Sequence, residues 1–314
     1  MAFLFTFLAM LMTTVCDLYE KKSINSDTED VLKTIVWYGI CNAIMFTLAY
    51  TLGLDEISVM PHELVLENPQ LLLTTVFNYL CLFFALIAYK YLGVSTKNTF
   101  VNIDGLFFVI LLVLFHLTTG EAQYARRLFD PLTIIGLILI ISSGIIYPNI
   151  KGENEEESSE HKLKSAKNQK LIVIIGMAMS FISAFFDGAE SMVSSVLIGD
   201  DIVDSVEFIC VLTLLQVVIS FFIWIYLWIK NKKIYNPFRK TEKNRIISQS
   251  FSIVADLLYV FALSDDALIG VILWNAFPVL DILASRLFMK EKLSKLQYLV
   301  LATMITGAIC VSIS

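Results

Sequence analysis

The sequence is poor in charged residues, and this scarcity excludes most kinds of soluble protein. Only 17% of the 314 residues are Asp, Glu, Lys or Arg, against about 25% in soluble domains. Hydrophobic residues make up 57% of the chain, and the mean hydropathy is +0.74. Too few polar residues remain to cover a soluble domain of this length. The composition therefore excludes a soluble enzyme, a disordered protein and a secreted disulfide scaffold, and the net charge of −6 argues against nucleic acid as a partner.

Cysteine and histidine are present in small numbers and without the spacing of a metal site. Five cysteines lie in or beside apolar runs with no CxxC pair, and three histidines lie far apart. We therefore expect cysteines that pack in the core, and neither a disulfide framework nor a bound metal. The apolar runs also lack GxSxG, HExxH and a serine–histidine set, so we predict that the protein is not an enzyme and uses no cofactor.

Long apolar runs account for most of the chain. About 20 apolar residues form one membrane-spanning helix, whereas the short alternating segments of a transmembrane β-barrel are missing. Ten runs follow one another, at 2–19, 31–53, 71–92, 99–119, 131–149, 171–198, 206–229, 246–263, 267–289 and 295–314. The sequence thus predicts an all-α membrane protein with ten transmembrane helices in the lipid bilayer of the cytoplasmic (inner) membrane. Run 1 lacks a basic N-terminal stretch and a cleavage site, so we expect a retained helix and not a signal peptide.

Basic residues are concentrated in alternate connections between the runs. Of the 23 lysines and arginines, 21 fall in the connections after runs 1, 3, 5, 7 and 9, and only Arg126 and Arg127 fall elsewhere. The positive-inside rule places these connections in the cytoplasm and both termini outside. The opposite connections are acidic, which fits either ordinary solvated surface or a field that concentrates cations at an outer mouth.

A polar segment at 151–170 divides the chain into two halves. Its composition is typical of a flexible cytoplasmic linker, and it separates a predicted first five-helix repeat at 1–150 from a second at 171–314. Because each half has an odd number of runs, the second half enters the membrane from the opposite side. The sequence therefore predicts two inverted repeats around a central cavity.

The two halves carry matching polar residues. A shift of 170 residues superimposes two sets with the same spacing, Thr13, Asp17 and Glu20 on Ser183, Asp187 and Glu190. Spacings of three and four residues place each set on one stripe of a helix. A shift of 174 residues brings Asn78 onto Ser252 and Asp104 onto Pro278. Such internal similarity predicts a repeat architecture.

Acidic residues recur inside or at the edge of the runs, where basic residues are almost missing. An ionisable side chain in a span costs at least roughly 2–3 kcal/mol and usually has a function. We expect these acids to be protonated, hydrogen-bonded or neutralised by a bound cation. They are Asp17, Glu20, Asp104, Asp187, Glu190, Asp256 and Asp281.

We predict two roles for these acids and for nearby aromatic residues, whose ring faces attract cations. The predicted substrate-binding residues are Glu190, Asp187, Trp274, Tyr259, Asp256, Trp37 and Tyr38. The predicted proton or charge coupling residues are Asp17, Glu20, Asp281 and Asp104. Pro278 is expected to break run 9 and to free backbone carbonyls there. Neutral hydrogen-bonded acids and ordinary aromatic packing remain the structural alternatives.

Nearly the whole chain resembles a known family, and the most specific residues lie near its end. Asn275-Ala-Phe-Pro278-Val-Leu is followed by Lys290-Glu291-Lys292-Leu293-Ser294 and then by Gly307. Together with the five-plus-five repeat, this order resembles the drug/metabolite transporter superfamily of the EamA type, which implies a ten-helix transporter. The first half departs from the family pattern, since it has Asp104 in place of the proline.

A shorter segment of run 6 is similar to bacterial choline transporters of the same superfamily. The segment is Gly188-Ala-Glu190-Ser-Met-Val-Ser-Ser195. In those transporters an acidic residue and aromatic side chains hold a quaternary ammonium group. The resemblance implies a choline-like substrate and a role for Glu190 in holding its charge.

The sequence therefore predicts a secondary transporter that moves a small organic cation, choline-like or another amine, by alternating access. The alternative is a proton-coupled carrier of a neutral or zwitterionic metabolite, such as an amino acid or a sugar. The inverted repeat and the absence of rings of like residues argue against a channel. A structural scaffold would have little reason to retain seven acids in its spans.

Overall fold

The helices of this chain follow its apolar runs. A computed structural model describes residues 1–24, 28–52, 60–92, 97, 103–120, 130–146, 150, 166–274, 278–289 and 294–312. Regular secondary structure in these residues is entirely helical, which confirms the predicted all-α class. The α-helices are α1 (Ala2–Ser23), α2 (Thr28–Leu52), α3 (Pro61–Glu67), α4 (Gln70–Tyr89), α5 (Asp104–Thr119), α6 (Pro131–Ile146), α7 (Ala166–Gly199), α8 (Ser205–Asn231), α9 (Lys243–Trp274), α10 (Pro278–Met289) and α11 (Lys295–Ser312).

Six of the described helices, α1, α2, α4, α7, α8 and α9, are long and apolar enough to cross a membrane. Shorter apolar helices cover Asp104–Thr119, Pro131–Ser143 and Lys295–Cys310. Large apolar side chains such as Leu117, Ile174 and Phe222 are exposed on the outside of the molecule, where a lipid environment would cover them. These features indicate an integral membrane protein, because helices satisfy their backbone hydrogen bonds inside lipid.

Two helix boundaries differ from the predicted ones. α7 begins at Ala166, inside the predicted linker at 151–170, because alanine, lysine and glutamine at this point are strong helix formers. The predicted gap between runs 8 and 9 lies within α9, where Asp266 has non-helical backbone angles (φ −159°, ψ 98°). The backbone N–H of Ile269 donates to Asp266 Oδ1 at 3.0 Å. Asp266 thus ends one helical segment and caps the next.

The helices associate in a defined set of pairs. α1 packs most extensively against α9, and α4 against α7, while α2 pairs with α8 and α6 with α11. α5 also packs against α7, and α10 against α1. The long helices α1, α4, α7 and α9 therefore form the centre of the molecule, where the polar residues of the runs meet.

Close helix contacts depend on small residues, as is typical of membrane proteins. A Cβ atom on Gly39 of α2 would lie only 2.1 Å from the Ser220 Cβ of α8. The hydroxyl of Ser220 uses this proximity to donate to the carbonyl oxygen of Ile35 at 3.0 Å. Glycine at position 39 is therefore required for the α2–α8 pairing.

Candidate functional site

A polar cavity of about 150 Å³ lies between α1, α2, α4, α5, α7 and α9. Its lining includes five acids, Asp17, Glu20, Asp104, Asp187 and Asp256. Among the described residues that line it, Lys97 is the one base. An adjoining cavity of about 80 Å³ shares Asn78, Asp187, Asp256 and Trp274 and is also lined by Glu190 and Tyr259. The two cavities together form an acidic chamber between the helices, which we call the acidic cavity.

The structure describes the side chains of ten of the twelve predicted substrate-binding, coupling and helix-break residues, and nine of these ten line the acidic cavity. The acidic cavity brings together Asp17, Glu20, Asp104, Asp187, Glu190, Asp256, Tyr38, Tyr259 and Trp274. Trp37 is buried elsewhere, with its ring edge-on to Phe238 at a centroid distance of 5.5 Å. α10 begins at Pro278, but the side chains of Pro278 and Asp281 lie outside the described part of the structure.

The residues on α1 form one stripe that faces the acidic cavity. Thr13, Cys16, Asp17 and Glu20 all line it, because spacings of three and four residues return to the same side of a helix. The amide Nε2 of Gln249 on α9 donates to Glu20 Oε1 at 2.7 Å. The structure buries Glu20, with 4% of its surface exposed.

The matching stripe on α7 faces the cavity from the other side. Ser183 and Asp187 line the larger part, and Glu190, Ser191 and Ser194 line the smaller part. The hydroxyl of Ser194 donates to Glu190 Oε1 at 2.7 Å. A carboxylate in a span needs such a donor, because lipid offers none. The two stripes predicted from the internal repeat thus meet across one chamber.

A close contact between α5 and α7 brings two acids together. A Cβ atom on Gly188 would lie 2.5 Å from the carbonyl oxygen of Asp104 and 2.9 Å from the backbone nitrogen of Phe108. Only glycine allows the start of α5 to approach α7 this closely. Asp104 and Asp187 both line the larger part of the acidic cavity, and two neighbouring acids favour a shared proton or a bound cation.

Asp256 on α9 belongs to a hydrogen-bond network that joins four helices. The phenol of Tyr38 donates to Asp256 Oδ2 at 3.0 Å. The amide of Gln216 contacts Tyr38 Oη at 3.1 Å and Asn78 Oδ1 at 3.0 Å. These side chains come from α2, α4, α8 and α9. Their hydrogen bonds fix the position of the Asp256 carboxylate at the cavity wall.

Aromatic rings stand beside the acids. Tyr259 and Trp274 contact each other with ring centroids 4.8 Å apart, and both line the part of the cavity that holds Glu190 and Asp256. The phenol of Tyr259 also contacts Ser191 Oγ at 3.5 Å. An aromatic face next to a carboxylate is an arrangement that binds organic cations.

Lys97 corrects the expectation that bases are almost missing from the interior. The sequence assigned it to a cytoplasmic connection, but its side chain is 8% exposed and lines the acidic cavity. Its Nζ lies 3.9 Å from Asp17 Oδ1 and 4.5 Å from the centroid of the Tyr89 ring. The surrounding acids stabilise the buried ammonium group of Lys97. A solvated connection would not supply such partners.

One group of side chains in the cavity has the donor set of a metal site. The ligand atoms of Cys16, Asp17 and Glu20 lie within 4.8 Å of one another, and all three residues are buried. A thiol and two carboxylates suit a transition metal such as zinc. The ammonium of Lys97 beside Asp17 supplies a positive charge at the same place, so it would oppose a divalent ion there.

A buried ion cluster lies one turn beyond the cavity. Arg245 on α9 contacts Asp30 Oδ1 at 2.6 Å and Glu242, and it donates to the carbonyl oxygen of Ser23 at 2.9 Å. Ser23 is three residues beyond Glu20, which is about 4.5 Å along a helix. This Arg245 cluster therefore lies next to the cavity, between the C-terminal end of α1 and the N-terminal end of α2.

Tyr235 extends the Arg245 cluster into the connection between α8 and α9. Its phenol donates to Glu242 Oε2 at 2.8 Å. Burial, together with the hydrogen bond to Glu242, raises the pKa of Tyr235 above its usual value. The phenol thus stays a neutral donor at physiological pH, and it holds the carboxylate that pairs with Arg245.

Several polar residues of the site were not among the predicted ones. Gln216 and Gln249 hold acids or their donors in place, and Asn78 and Cys81 line the cavity. The repeat contained a signal for one of them, because Asn78 aligns with Ser252 and both line the cavity. The same shift of 174 residues aligns Gln216 with Asn42 and Gln249 with Thr75, so the glutamines also have polar counterparts in the first half.

Comparisons with known proteins give a likeness of fold. No family model and no curated protein matches this chain. A solved structure described only as "Crystal structure of protein" matches 99% of this chain and 96% of its own, with a TM-score of 0.64 and 15% sequence identity. At this identity the likeness shows the fold alone. The chain therefore shares its overall fold with a protein of known structure.

Proposed function

We propose that this protein is a secondary transporter that moves a small organic cation, choline-like or another amine, by alternating access. One observation carries the proposal, namely a cavity between apolar helices that is lined by five carboxyl groups and one ammonium group among the described residues. Acids concentrated in a low-dielectric chamber attract positive charge. A bound cation would offset the unfavourable burial of those carboxylates.

The aromatic residues favour an organic cation over a simple metal ion. Trp274 and Tyr259 line the same part of the cavity as Glu190, and Tyr38 stands beside Asp256. A ring face attracts a cation by roughly 0.5–2 kcal/mol and tolerates the methyl groups of an alkylated amine. Glu190, Asp187 and Asp256 would supply the charge, and the rings would supply the walls.

The pairing of the helices supports two inverted five-helix repeats. If the repeat relates α1 to α7 and α4 to α9, the contact of α1 with α9 corresponds to that of α7 with α4, and both are extensive. The pairs α2–α8 and α6–α11 then map onto themselves. In this proposal the two parts of α9, together with α10, form spans 8 and 9 of ten, and the similarity to EamA-type transporters points the same way.

The Arg245 cluster supports a closed cytoplasmic end. It joins the connection after α1 to the connection after α8, and both connections are rich in basic residues. By the positive-inside rule we place this end in the cytoplasm and both termini outside, in the cytoplasmic membrane. Opening of this cluster, with closure of the opposite end, would expose the acidic cavity to one side at a time.

Uptake by reconstituted protein tests the proposal. Proteoliposomes that contain the full chain should take up labelled choline or a polyamine with saturation, and unlabelled substrate should compete. Asp187→Asn should abolish most of this uptake, because Asp187 lines both parts of the cavity. The matched control is Asp201→Asn, an exposed acid outside the cavity, which should leave uptake unchanged. No saturable uptake of any cation by the wild-type protein would refute the proposal.

Lys97 favours one alternative, a proton-coupled carrier of a zwitterionic metabolite such as an amino acid. The cavity contains both signs of charge, with Lys97 Nζ 3.9 Å from Asp17 Oδ1. An amino acid could pair its carboxylate with Lys97 and its ammonium with Asp187 or Asp256. Uptake of a neutral amino acid that depends on an imposed pH gradient, without competition by choline, would select this alternative.

A further inference from the structure

The acidic cavity already contains an ammonium group of its own. Lys97 Nζ lies 3.9 Å from Asp17 Oδ1, 4.5 Å from the Tyr89 ring centroid and 3.3 Å from Tyr89 Oη. A carboxylate and an aromatic face are the two features that recognise an organic cation. The side chain of Lys97 thus sits in a half-site, formed by Asp17 and Tyr89, that has the chemistry of an amine-binding site.

The length of the Lys97 side chain allows its ammonium group to leave this half-site. It belongs to the connection between α4, which ends at Tyr89, and α5, which begins at Asp104. A lysine ammonium is a compact charge on a flexible four-carbon stem, so it can exchange one set of partners for another at small conformational cost. The surrounding acids stabilise it in the cavity as long as no other cation takes its place.

We propose that Lys97 is a tethered cation that occupies the Asp17–Tyr89 half-site in the empty transporter, and that it is displaced when the ammonium group of the substrate moves from the part of the acidic cavity lined by Glu190 and Asp256 into this half-site. The inference rests on the proposed function and adds a residue that sets its affinity and selectivity. If a site is unoccupied for only a fraction of the time, its apparent affinity for a ligand is the intrinsic affinity multiplied by that fraction. Lys97 therefore lowers the affinity for cations and keeps the empty cavity partly neutralised.

The same geometry distinguishes classes of amine. A protonated primary amine can replace all three contacts of Lys97, including the hydrogen bond to Tyr89 Oη. A quaternary ammonium group replaces the charge and the ring contact but has no hydrogen to donate. We therefore expect methylammonium to replace the charge, the ring contact and the hydrogen bond of Lys97 to the phenol. Choline should replace only the charge and the ring contact.

Binding to the purified full-length protein tests the inference. Isothermal titration calorimetry with choline chloride and with methylammonium chloride should show that Lys97→Gln binds both about tenfold more tightly than the wild type. Lys97→Arg keeps the charge and should stay near the wild-type affinity. The matched control Lys90→Gln removes one charge from the same connection, outside the cavity lining, and should also leave the affinity unchanged.

A second background separates displacement from a general effect of charge. In Asp17→Asn the half-site loses its carboxylate, so the additional Lys97→Gln substitution should no longer tighten binding. Equal tightening in both backgrounds would mean that Lys97 acts at a distance and would overturn the inference. If Lys97→Gln does not give a monodisperse protein, Lys97→Met provides a neutral side chain of similar length for the same comparison.

The outcomes also separate this inference from the proposed function. Cation binding by the wild type, with unchanged or weaker binding by Lys97→Gln, would overturn the role of Lys97 and leave the cation transporter standing. Failure of both proteins to bind either cation would overturn the proposed function, and this inference with it. Tighter binding by Lys97→Gln that depends on Asp17 supports both.

Discussion

At the scale of single residues, Trp274 is the side chain that connects the acids to an aromatic wall. It lines both parts of the acidic cavity, and its ring contacts that of Tyr259 at 4.8 Å. An indole has the strongest attraction for cations among the aromatic side chains. Removal of this ring should therefore weaken the binding of an organic cation without removing any charge.

Trp274→Ala is expected to weaken choline binding by about 2- to 30-fold, which corresponds to roughly 0.5–2 kcal/mol of cation–π attraction. Trp274→Phe should recover part of the loss. Calorimetric titration measures both, and Trp228→Ala is the control, because Trp228 is an exposed residue near the end of α8. Equal affinity of wild type and Trp274→Ala would show that the ring does not contact the cation.

The sequence predicted part of this site, because the internal repeat showed which polar residues of α1 and of α7 share one face of their helix. Thr13, Asp17, Ser183 and Asp187 were found in this way, and all line the cavity. Lys97 was missed, because a residue in a connection carries no helical period that tells whether it points inward or outward. Trp37 was placed in the site only by its type, and the structure packs it against Phe238 instead.

At the scale of helices, the approach of α5 to α7 positions the Asp104–Asp187 pair. Gly188 is the residue at their contact, and its neighbour across the interface is the backbone of Asp104. Backbone atoms cannot rotate away as a flexible side chain can. Any larger residue at position 188 should therefore separate the two helices and the two acids.

Gly188→Ala is expected to destabilise the protein by about 1–3 kcal/mol through overpacking. Gly270→Ala is the matched control, since its new Cβ would meet nothing closer than 3.4 Å. That substitution should be neutral or stabilise the helix by up to about 1 kcal/mol. Thermal unfolding in lipid nanodiscs compares the two, and equal midpoints would contradict the tight α5–α7 contact.

The Arg245 cluster makes a second prediction at this scale. Arg245→Gln leaves Asp30 and Glu242 without their buried partner, which should cost roughly 3–5 kcal/mol of stability. In a variant that keeps Cys16 as its single cysteine, the same substitution should speed labelling of Cys16 by a membrane-impermeant maleimide added on the side that we propose to be cytoplasmic. Cys16 lines the cavity and is 4% exposed.

Lys33→Gln serves as the control for the Arg245 cluster. Lys33 pairs with Glu29 at 2.8 Å, but both side chains are partly exposed, at 24% and 22%. Exposed pairs contribute about 0–1 kcal/mol, so neither stability nor Cys16 labelling should change much. If Arg245→Gln and Lys33→Gln label Cys16 at the same rate, the cluster does not close the cavity.

Helix positions were predicted well from the sequence, whereas their ends and interruptions were not. The apolar runs located the long helices, because burial in lipid requires about 20 apolar residues for each crossing. α7 begins earlier than its run, since residues 166–170 are polar but still favour a helix. The kink at Asp266 was predicted as a gap, because hydropathy does not distinguish a capped kink from a loop.

At the scale of the whole molecule, apolar helices enclose an acidic chamber, and their pairing is balanced between the two halves. The contacts of α1 with α9 and of α4 with α7 are both extensive, which agrees with the proposed arrangement of two inverted repeats. In the proposed function the charge of the chamber selects the substrate, since six acids and one lysine line it among the described residues. The central claim is therefore that this chamber binds an organic cation.

The most direct test compares choline with 3,3-dimethylbutan-1-ol, a neutral molecule of the same shape, in calorimetric titrations of the purified wild-type protein. Since the shape is constant, the difference in affinity reports on charge alone. The account predicts saturable binding of choline, which Asp187→Asn weakens by about tenfold or more, and little or no binding of the alcohol. Equal binding of the two molecules, or binding of neither choline nor any other amine, would contradict the account.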